Sequence, residues 1–182
     1  MKYEIKDHRL IDAHWRPSPH QSQRPPWAKI ELVVLHCISL PEGNYGTGNP
    51  EQLFLGCLEP TSHPDFADLS GIEVSAHLFV DRAGSIQQFV AFDQQAWHAG
   101  MSMWCGRGSC NQFSIGIELE GTDKDAYADE QIDALQKVLA ALLENYPGLA
   151  VDHIVGHQDI APGRKSDPGL GLDWASLFKS LS

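Results

Sequence analysis

Five short apolar runs, separated by loops and by one long amphipathic segment, constrain the fold of this chain more than any other feature. The runs cover residues 31–35, 73–80, 85–92, 113–120 and 151–155. Their length and their content of β-branched and aromatic residues are typical of buried strands. The DRAG turn between the second and third runs predicts an antiparallel hairpin. With the helices that alternate with these runs, the order of elements predicts fold class α/β in one mixed domain.

Three segments are predicted to be helices. The clearest is 129–146, where apolar residues recur every three to four positions and Pro147 ends the pattern. A shorter helix is expected from Pro50 to about residue 59, with Asn49 as its N-cap. The third helix is amphipathic and covers 173–181. A chain of 182 residues with these elements is long enough to bury one core.

The charge and the N-terminal sequence exclude several kinds of partner. A formal net charge of −11 argues against nucleic acid, because phosphate binding needs a basic face, and it disfavours anionic lipid. No apolar run approaches the ~20 residues of a membrane span. The N-terminal sequence lacks the apolar stretch of a signal peptide, so a cytoplasmic protein is expected. Residues 1–28 are polar and aperiodic, which predicts an extended N-terminal arm before a domain at 29–182.

The polar segment 155–169, VGHQDIAPGRKSDPG, contains candidate metal ligands. Its prolines and glycines disfavour a helix, so we expect a stiff loop. His157 and Asp167 lie in this segment, and His36 follows the first strand. Two imidazoles and a carboxylate suit zinc and leave a fourth position for water. The spacing alone is weak support, because nine histidines allow many chance combinations; ordinary surface or hydrogen-bonded histidines remain the alternative.

Five motifs carry a resemblance to a known family: LHCISLP, SAHLFV, AWHAG, FSIGIELEGTD and GHQDIAPGRKSDPG. In this order they resemble the cytosolic AmpD-type N-acetylmuramoyl-L-alanine amidases. The resemblance extends from PSPH near residue 18 to DWASLF near the end of the sequence. It implies the zinc amidase and peptidoglycan-recognition fold that includes phage T7 lysozyme, with a central mixed β-sheet flanked by helices. It also implies one zinc ion per chain.

The resemblance further implies roles for individual residues. The zinc ligands would be His36, His157 and Asp167, and the catalytic pair would be Glu118 and Lys165. In such a site zinc acidifies its bound water, the glutamate moves a proton to the departing amine, and the lysine stabilises the oxyanion. Two alternatives stay open. Glu118 could be an exposed strand carboxylate, as the glutamate two residues later is expected to be, and Lys165 could merely pair with Asp167.

Six residues are candidates for substrate binding. Trp97 is predicted to form a wall for sugar or peptide, with core packing as the alternative. His77 and His98 could contact substrate or orient a metal ligand, with a purely structural role as the alternative. The remaining candidates are a cysteine beside the first ligand and two arginines that could meet peptide carboxylates: Cys37, Arg107 and Arg164.

Three positions depart from the family pattern. Cys37 stands where close relatives usually have Asn, which puts one substrate hydrogen bond in doubt. Glu73 and Ser109 stand where relatives tend to carry Arg to hold the carboxylates of the stem peptide. Either Arg107 or Arg164 takes over that role, or the preference for the peptide tail is looser.

The resemblance implies zinc-dependent hydrolysis of the lactyl–L-Ala amide bond of (1,6-anhydro)-N-acetylmuramyl peptides in cell-wall recycling. The expected partners are therefore small anhydromuropeptides, with no nucleic acid and no membrane, and the enzyme is expected to be a monomer. Two other functions stay open: a non-catalytic peptidoglycan-recognition binder and a zinc peptidase that acts on stem peptides. Such binders usually lack a complete ligand set, so the predicted triad argues against the first.

Overall fold

A six-stranded mixed sheet forms the centre of the protein, in a computed structural model that describes residues 3–181. In chain order its strands are β1 (His14–Trp15), β2 (Leu32–Ile38), β3 (Leu78–Val80), β4 (Ile86–Gln88), β5 (Ser114–Glu120) and β6 (Ile154–Gly156). Their spatial order is β6-β2-β5-β3-β4-β1. The strands β6, β2, β5 and β3 are parallel, whereas β4 pairs antiparallel with β3. The predicted hairpin is therefore confirmed, with shorter strands than expected.

Helices flank this sheet. Within the described residues the α-helices are α1 (Asn49–Phe54), α2 (Asp129–Asn145), α3 (His157–Ile160) and α4 (Trp174–Ser180). The predicted apolar stripe of α2 is buried against one face of the sheet. No helix within residues 3–181 combines the length and the apolar character that a bilayer span requires. The predicted fold class, α/β with a central mixed β-sheet flanked by helices, is confirmed.

Short elements connect these helices and strands. Short 3-10 helices form at Pro64–Leu69, Cys110–Gln112 and Val151–His153. Two-stranded ribbons pair Ile5–Lys6 with Arg9–Leu10, Gln21–Gln23 with Gln94–Ala96, and Met103–Trp104 with Arg107–Gly108. The expected strand at 151–155 thus divides into a 3-10 turn followed by β6.

Register in the two central strands determines which side chains meet. β2 and β5 pair along their full length, which places Glu118 opposite His36. Successive side chains of a strand point to opposite faces. Val33, Leu35 and Ile117 pack in the cluster that contains α2, so His36 and Glu118 lie on the other face of the sheet.

Two predicted helix boundaries differ from the structure. The helix α1 ends at Phe54 instead of near residue 59, and Gly56 then takes a left-handed φ of 68°. Its N-cap is Gly48, and Asn49 is its first helical residue instead of its cap. The prediction that segment 155–169 forms no helix was wrong for its first turn, because α3 precedes Pro162 and loses no hydrogen bond to it.

The N-terminal residues are part of the fold and not only an extended surface arm. β1 pairs with β4 at the edge of the central sheet, and Leu10 and Ser18 are buried. The guanidinium of Arg24 donates to four backbone carbonyls at 2.7–3.1 Å, those of Phe92, Asn111, Gln112 and Ser114. This arginine therefore ties the N-terminal residues to two loops and to the start of β5. The domain boundary between residues 28 and 29 stays a prediction.

Candidate active site

A cavity of about 720 Å³ opens at the carboxyl ends of β2 and β5. Parallel sheets commonly bind their ligands at this edge. The loops after both strands and the end of segment 155–169 contribute its walls. Its lining includes all five residues that were predicted as metal ligands or catalytic groups: His36, Glu118, His157, Lys165 and Asp167.

The three predicted metal ligands converge on one point of this cavity. Nδ1 of His36 lies 2.9 Å from Nδ1 of His157, and Oδ2 of Asp167 lies 3.1 Å from each of these nitrogens. In the pairing of β6 with β2, Gly156 lies opposite Leu35. The residues that follow them, His157 and His36, are therefore neighbours, and their two nitrogens form a triangle with the oxygen of Asp167. Strand pairing thus closes a sequence separation of 121 residues.

Hydrogen bonds to the far nitrogens fix both imidazole rings. Nε2 of His157 lies 3.2 Å from the carbonyl oxygen of Ala99, to which it can only donate. Nε2 of His36 lies 2.9 Å from Nδ1 of His98, and Nε2 of His98 lies 3.1 Å from Oγ of Ser114. A network in which every Nε2 donates outward satisfies all these contacts. It leaves the Nδ1 lone pairs of both ligands facing the triangle.

The triangle therefore consists of three acceptors. Burial lowers the pKa of His36 to about 4, which keeps that ring neutral near pH 7. Two imidazole lone pairs and a carboxylate oxygen this close together repel one another unless a cation lies between them. Two imidazoles and one carboxylate are a ligand set that zinc uses in catalytic sites. The donor set of His36, His157 and Asp167 therefore fits a zinc ion.

Glu118 lies on the same floor with a free oxygen atom. Its side chain is buried, and its Oε2 has no hydrogen-bond partner among residues 3–181. Burial raises the pKa of Glu118 well above its usual value, the charge of Asp167 raises it further, and Lys165 opposes this effect. Buried polar atoms without partners are uncommon, and perturbed carboxyls cluster at functional sites. The alternative of an exposed strand carboxylate is wrong.

Glu120 was also expected to be exposed, and that expectation is wrong. It is 4% exposed and accepts hydrogen bonds from the backbone N–H groups of Gly46 and Arg82. Its two oxygens thereby join the loop after β2 to the turn after β3. Glu120 is a structural carboxylate, in contrast to Glu118.

Lys165 is exposed and lines the cavity. No carboxylate of the described chain forms an ion pair with it, and Oδ2 of Asp167 faces the two histidines instead. The alternative that Lys165 merely pairs with Asp167 is therefore wrong. An ammonium group with no ion-pair partner in the described chain is available to a negative charge that develops in the cavity.

Three of the six predicted substrate-binding residues line the cavity: Cys37, Trp97 and His98. The indole N–H of Trp97 donates to Oγ of Ser22 at 3.2 Å, so the N-terminal residues hold this ring in place. Burial raises the pKa of Cys37 to about 12, which keeps its thiol protonated at neutral pH. The ring of His98 contacts that of His36, one of the predicted metal ligands, at 2.9 Å.

His77 does not line the cavity. It is fully buried, accepts a hydrogen bond from the N–H of Gly116 at 3.0 Å and donates to the carbonyl of Gln94 at 3.1 Å. Both of its ring nitrogens are therefore occupied within the core. This environment fits a purely structural role for His77 and does not fit contact with substrate.

The two arginines also do not line the cavity. Arg107 pairs with Glu31, and its guanidinium carbon lies 3.9 Å from the ring centroid of Phe113. Arg164 donates to the carbonyl oxygens of Ala99 and Met101 at 2.8 and 2.6 Å. Both guanidinium groups therefore have partners within the protein, and the replacement of the missing peptide-binding arginine by one of them stays a prediction.

Two features in and beside the cavity were not predicted from the sequence. Lys124 and Lys165 are the Lys or Arg side chains that line it within the described chain, and Lys124 pairs with Glu42 at 3.4 Å. The hydroxyl of Tyr127 donates to the carbonyl of Pro168 at 2.7 Å and so supports the residue after Asp167. No sequence pattern identifies the tyrosine that donates to a given backbone carbonyl. Lys124 could have been suggested only by its position in the sequence GTDK, directly after β5.

Comparisons with known proteins agree with this geometry. The family described as N-acetylmuramoyl-L-alanine amidase matches residues 26–170. A 1,6-anhydro-N-acetylmuramyl-L-alanine amidase AmpD of Enterobacter cloacae is 47% identical to this chain over 173 residues. That alignment covers 95% of this chain and 92% of the relative.

Two solved structures extend the comparison. A crystal structure of a selenomethionine AmpD derivative matches with a TM-score of 0.93 and 46% identity, over 97% of this chain and 98% of that chain. The amidase AmiD from E. coli, in complex with the substrate anhydro-N-acetylmuramic acid-L-Ala-D-gamma-Glu-L-Lys, matches with a TM-score of 0.61 and 26% identity. That match covers 98% of this chain and 65% of the other. The chain therefore belongs to the N-acetylmuramoyl-L-alanine amidase family.

Proposed function

We propose that this enzyme is zinc-dependent and hydrolyses the amide bond between the lactyl group of (1,6-anhydro)-N-acetylmuramic acid and L-Ala. One observation carries the proposal. Three acceptor atoms lie 2.9–3.1 Å apart on the cavity floor, and the free carboxylate oxygen of Glu118 shares that floor. A metal site and a base in one cavity are the groups that hydrolysis of an unactivated amide needs.

The metal would be held by His36, His157 and Asp167. A zinc ion bound there supplies Lewis acidity, which lowers the pKa of water to about 7 and polarises a carbonyl group. Both histidines donate outward from Nε2, so their rings are already turned with Nδ1 inward. This preorganisation means that few side chains must move when the metal binds.

Glu118 is proposed to move the proton. Its free Oε2 accepts a proton from the attacking water as the new C–O bond forms. The same carboxyl then gives that proton to the amide nitrogen as the C–N bond breaks, because an amide anion is a poor leaving group. The raised pKa of Glu118 favours this role, since the carboxyl can hold the proton between the two steps. The products are a lactyl carboxylate and the free amine of L-Ala.

Lys165 is proposed to stabilise the negative charge on the carbonyl oxygen. Lys165 lines the cavity, and its ammonium is not neutralised by a carboxylate of the described chain. The oxygen gains charge as its carbon becomes tetrahedral, and a positioned cation lowers the energy of that state. Loss of one such donor typically costs about 10²–10³ in kcat.

The substrate class is supported by the relatives and by the cavity wall. The similar AmpD of E. cloacae is named for its action on 1,6-anhydro-N-acetylmuramyl-L-alanine, and the AmiD complex contains an anhydromuropeptide. Trp97 lines the cavity with a partly buried indole ring that is held in place, and one face of a sugar can stack on that ring. We extend the same substrate class to this chain.

The proposed setting is peptidoglycan recycling in the cytoplasm, with a monomeric enzyme. The likeness to AmpD-type amidases supports the setting. Light scattering of the purified protein tests the monomer, and fractionation of cells tests the compartment.

The decisive experiment combines metal analysis with product identification. The purified enzyme is expected to contain one zinc ion per chain and to cleave anhydromuramyl tripeptide into an intact tripeptide and a sugar that bears only its lactyl group. Mass spectrometry of both products identifies the broken bond. Bound zinc with no release of peptide would favour the peptidoglycan-recognition binder, and fragments of the tripeptide would favour the peptidase.

A further inference from the structure

One dipeptide, His98–Ala99, contacts both histidine ligands from outside the metal triangle. Nδ1 of His98 lies 2.9 Å from Nε2 of His36, within reach to accept a hydrogen bond from it. The carbonyl of Ala99 accepts one from Nε2 of His157 at 3.2 Å. Because the two acceptors belong to adjacent residues, movement of this segment would turn both ligand rings together.

The side chain of Asn111 holds both backbone N–H groups of the dipeptide, and Arg164 donates to the Ala99 carbonyl at 2.8 Å. Oδ1 of Asn111 accepts the backbone N–H of His98 at 3.2 Å and that of Ala99 at 2.8 Å. At its other side, the ring of His98 reaches Oγ of Ser114 at 3.1 Å, and Ser114 begins the strand that carries Glu118. The dipeptide is therefore anchored by its backbone and by its ring.

The ring of His98 also depends on a glycine. A Cβ atom on Gly116 would lie 2.4–2.6 Å from three atoms of this ring, which is closer than any real packing contact. Gly116 lies on β5 between Ser114 and Glu118, on the face that carries the site. The strand thus leaves a space that His98 fills while it contacts His36.

We propose that His98–Ala99 is the positioning element of the metal centre, which sets the tautomer and ring orientation of both histidine ligands, with Asn111 as its anchor. The inference rests on the proposed zinc site. A neutral histidine can ligate only through the nitrogen that lacks a proton, so the outward acceptors determine that Nδ1 faces the metal. Partners of this kind typically change metal affinity by about 10–100-fold when they are removed.

The first test compares two substitutions of His98. Asparagine offers Oδ1 near the position of the imidazole Nδ1, so His98→Asn retains the acceptor, whereas His98→Ala removes it. Zinc affinity is measured by competition with a chromophoric chelator, so the readout does not depend on turnover. We expect about 10–100-fold weaker zinc binding for His98→Ala and recovery of most of that loss in His98→Asn.

The second test acts at a distance from the ligands. Asn111→Ala removes the shared acceptor of the two backbone N–H groups, whereas Asn111→Asp keeps an oxygen there. We expect zinc affinity to fall in Asn111→Ala by up to about tenfold and to return in Asn111→Asp. His153→Ala serves as the control, because this histidine contacts Trp104 and the carbonyl of Gly148 instead of the site.

The outcomes separate the positioning role from the zinc site itself. If the unmodified enzyme binds no zinc, the proposed function and this inference both fail. If it binds zinc and His98→Ala binds within about twofold of it, the inference alone fails. Equal losses in Asn111→Ala and Asn111→Asp would also overturn it. Thermal unfolding of the metal-free variants identifies any that do not fold, and the Asn111 pair then decides if His98→Ala is among them.

Discussion

The floor and the rim of the cavity differ in how their side chains are held. On the floor, His36 and Glu118 lie within paired strands and His157 directly follows one, and each is at most 9% exposed. On the rim, Lys124 and Glu42 form an ion pair at 3.4 Å with 76% and 72% of their side chains exposed. Sheet register therefore fixes the floor, whereas the rim depends on loop side chains that solvent screens.

This difference separates the chemistry of the site from its selectivity. Groups on the floor lie in a low-dielectric environment, where a charge or a free lone pair has strong effects. Exposed rim pairs contribute only about 0–1 kcal/mol each. We therefore expect large effects from floor substitutions, small ones from substitutions of the Lys124–Glu42 pair, and an intermediate effect from Lys165, which has no ion-pair partner in the described chain.

The largest effect is expected from Asp167→Ala. This change removes one of three ligand atoms and leaves two imidazole lone pairs, so the purified variant should lose bound zinc and, with it, measurable activity. Elemental analysis measures the zinc content. Asp133→Ala, at an exposed position of α2, is the matched control. Unaltered zinc stoichiometry in Asp167→Ala would show that the ligand set is misassigned.

Glu118→Gln is expected to keep zinc and to lose turnover. The amide has nearly the shape of the carboxyl group but cannot carry the proton, so kcat should fall by about 10²–10⁴. Zinc content and steady-state rates on anhydromuramyl tripeptide provide the measurement. A near-normal rate with bound zinc would remove Glu118 from the mechanism.

Glu118→Gln should also change how the stability of the metal-free protein depends on pH. The pKa of Glu118 is raised in the folded protein, so the metal-free fold retains a proton that the unfolded chain releases above its ordinary pKa of 4.5. Stability of the metal-free wild type should therefore fall as pH rises from that value toward the folded pKa. Glu118→Gln should lack this loss, which urea unfolding at several pH values measures.

Lys165→Ala is expected to lower kcat by about 10²–10³ with a smaller change in KM. Its ammonium acts on charge that develops only after the substrate is bound, so binding of the ground state should change less. Lys137→Ala, at an exposed position of α2, controls for loss of one positive charge. An effect confined to KM would instead assign Lys165 to substrate positioning.

The floor was largely predictable from sequence. A β-branched run that ends at His36 and an alternating run around Glu118 predicted two buried strands, and parallel pairing then brought their ends together. The prediction of His157 and Asp167 depended on the family resemblance, because spacing alone could not bring them to His36. Strand pairing of β6 with β2 supplies the physical link.

The rim and the support of the ligands were less predictable. Arg107 and Arg164 have the charge that a peptide carboxylate needs, yet Glu31 and the carbonyl of Ala99 occupy them. Likewise, no sequence pattern indicated that Arg24 would bind four backbone carbonyls. A long polar side chain points toward the tertiary partner that it can reach. Loop conformation determines which partner that is, and the periodicity of the sequence does not.

The smallest effects are expected from the rim pair, and they should have opposite signs. Lys124→Ala removes a rim cation, so kcat/KM for an anionic anhydromuramyl tripeptide should fall by at most about fivefold, the equivalent of about 1 kcal/mol. Glu42→Gln removes the paired carboxylate and should raise the same quantity slightly. Both changes should disappear in high salt, because the two side chains are exposed. A loss near 100-fold in Lys124→Ala would mean that this rim selects the peptide tail strongly. In that case Lys124 would replace the arginines that are absent at Glu73 and Ser109.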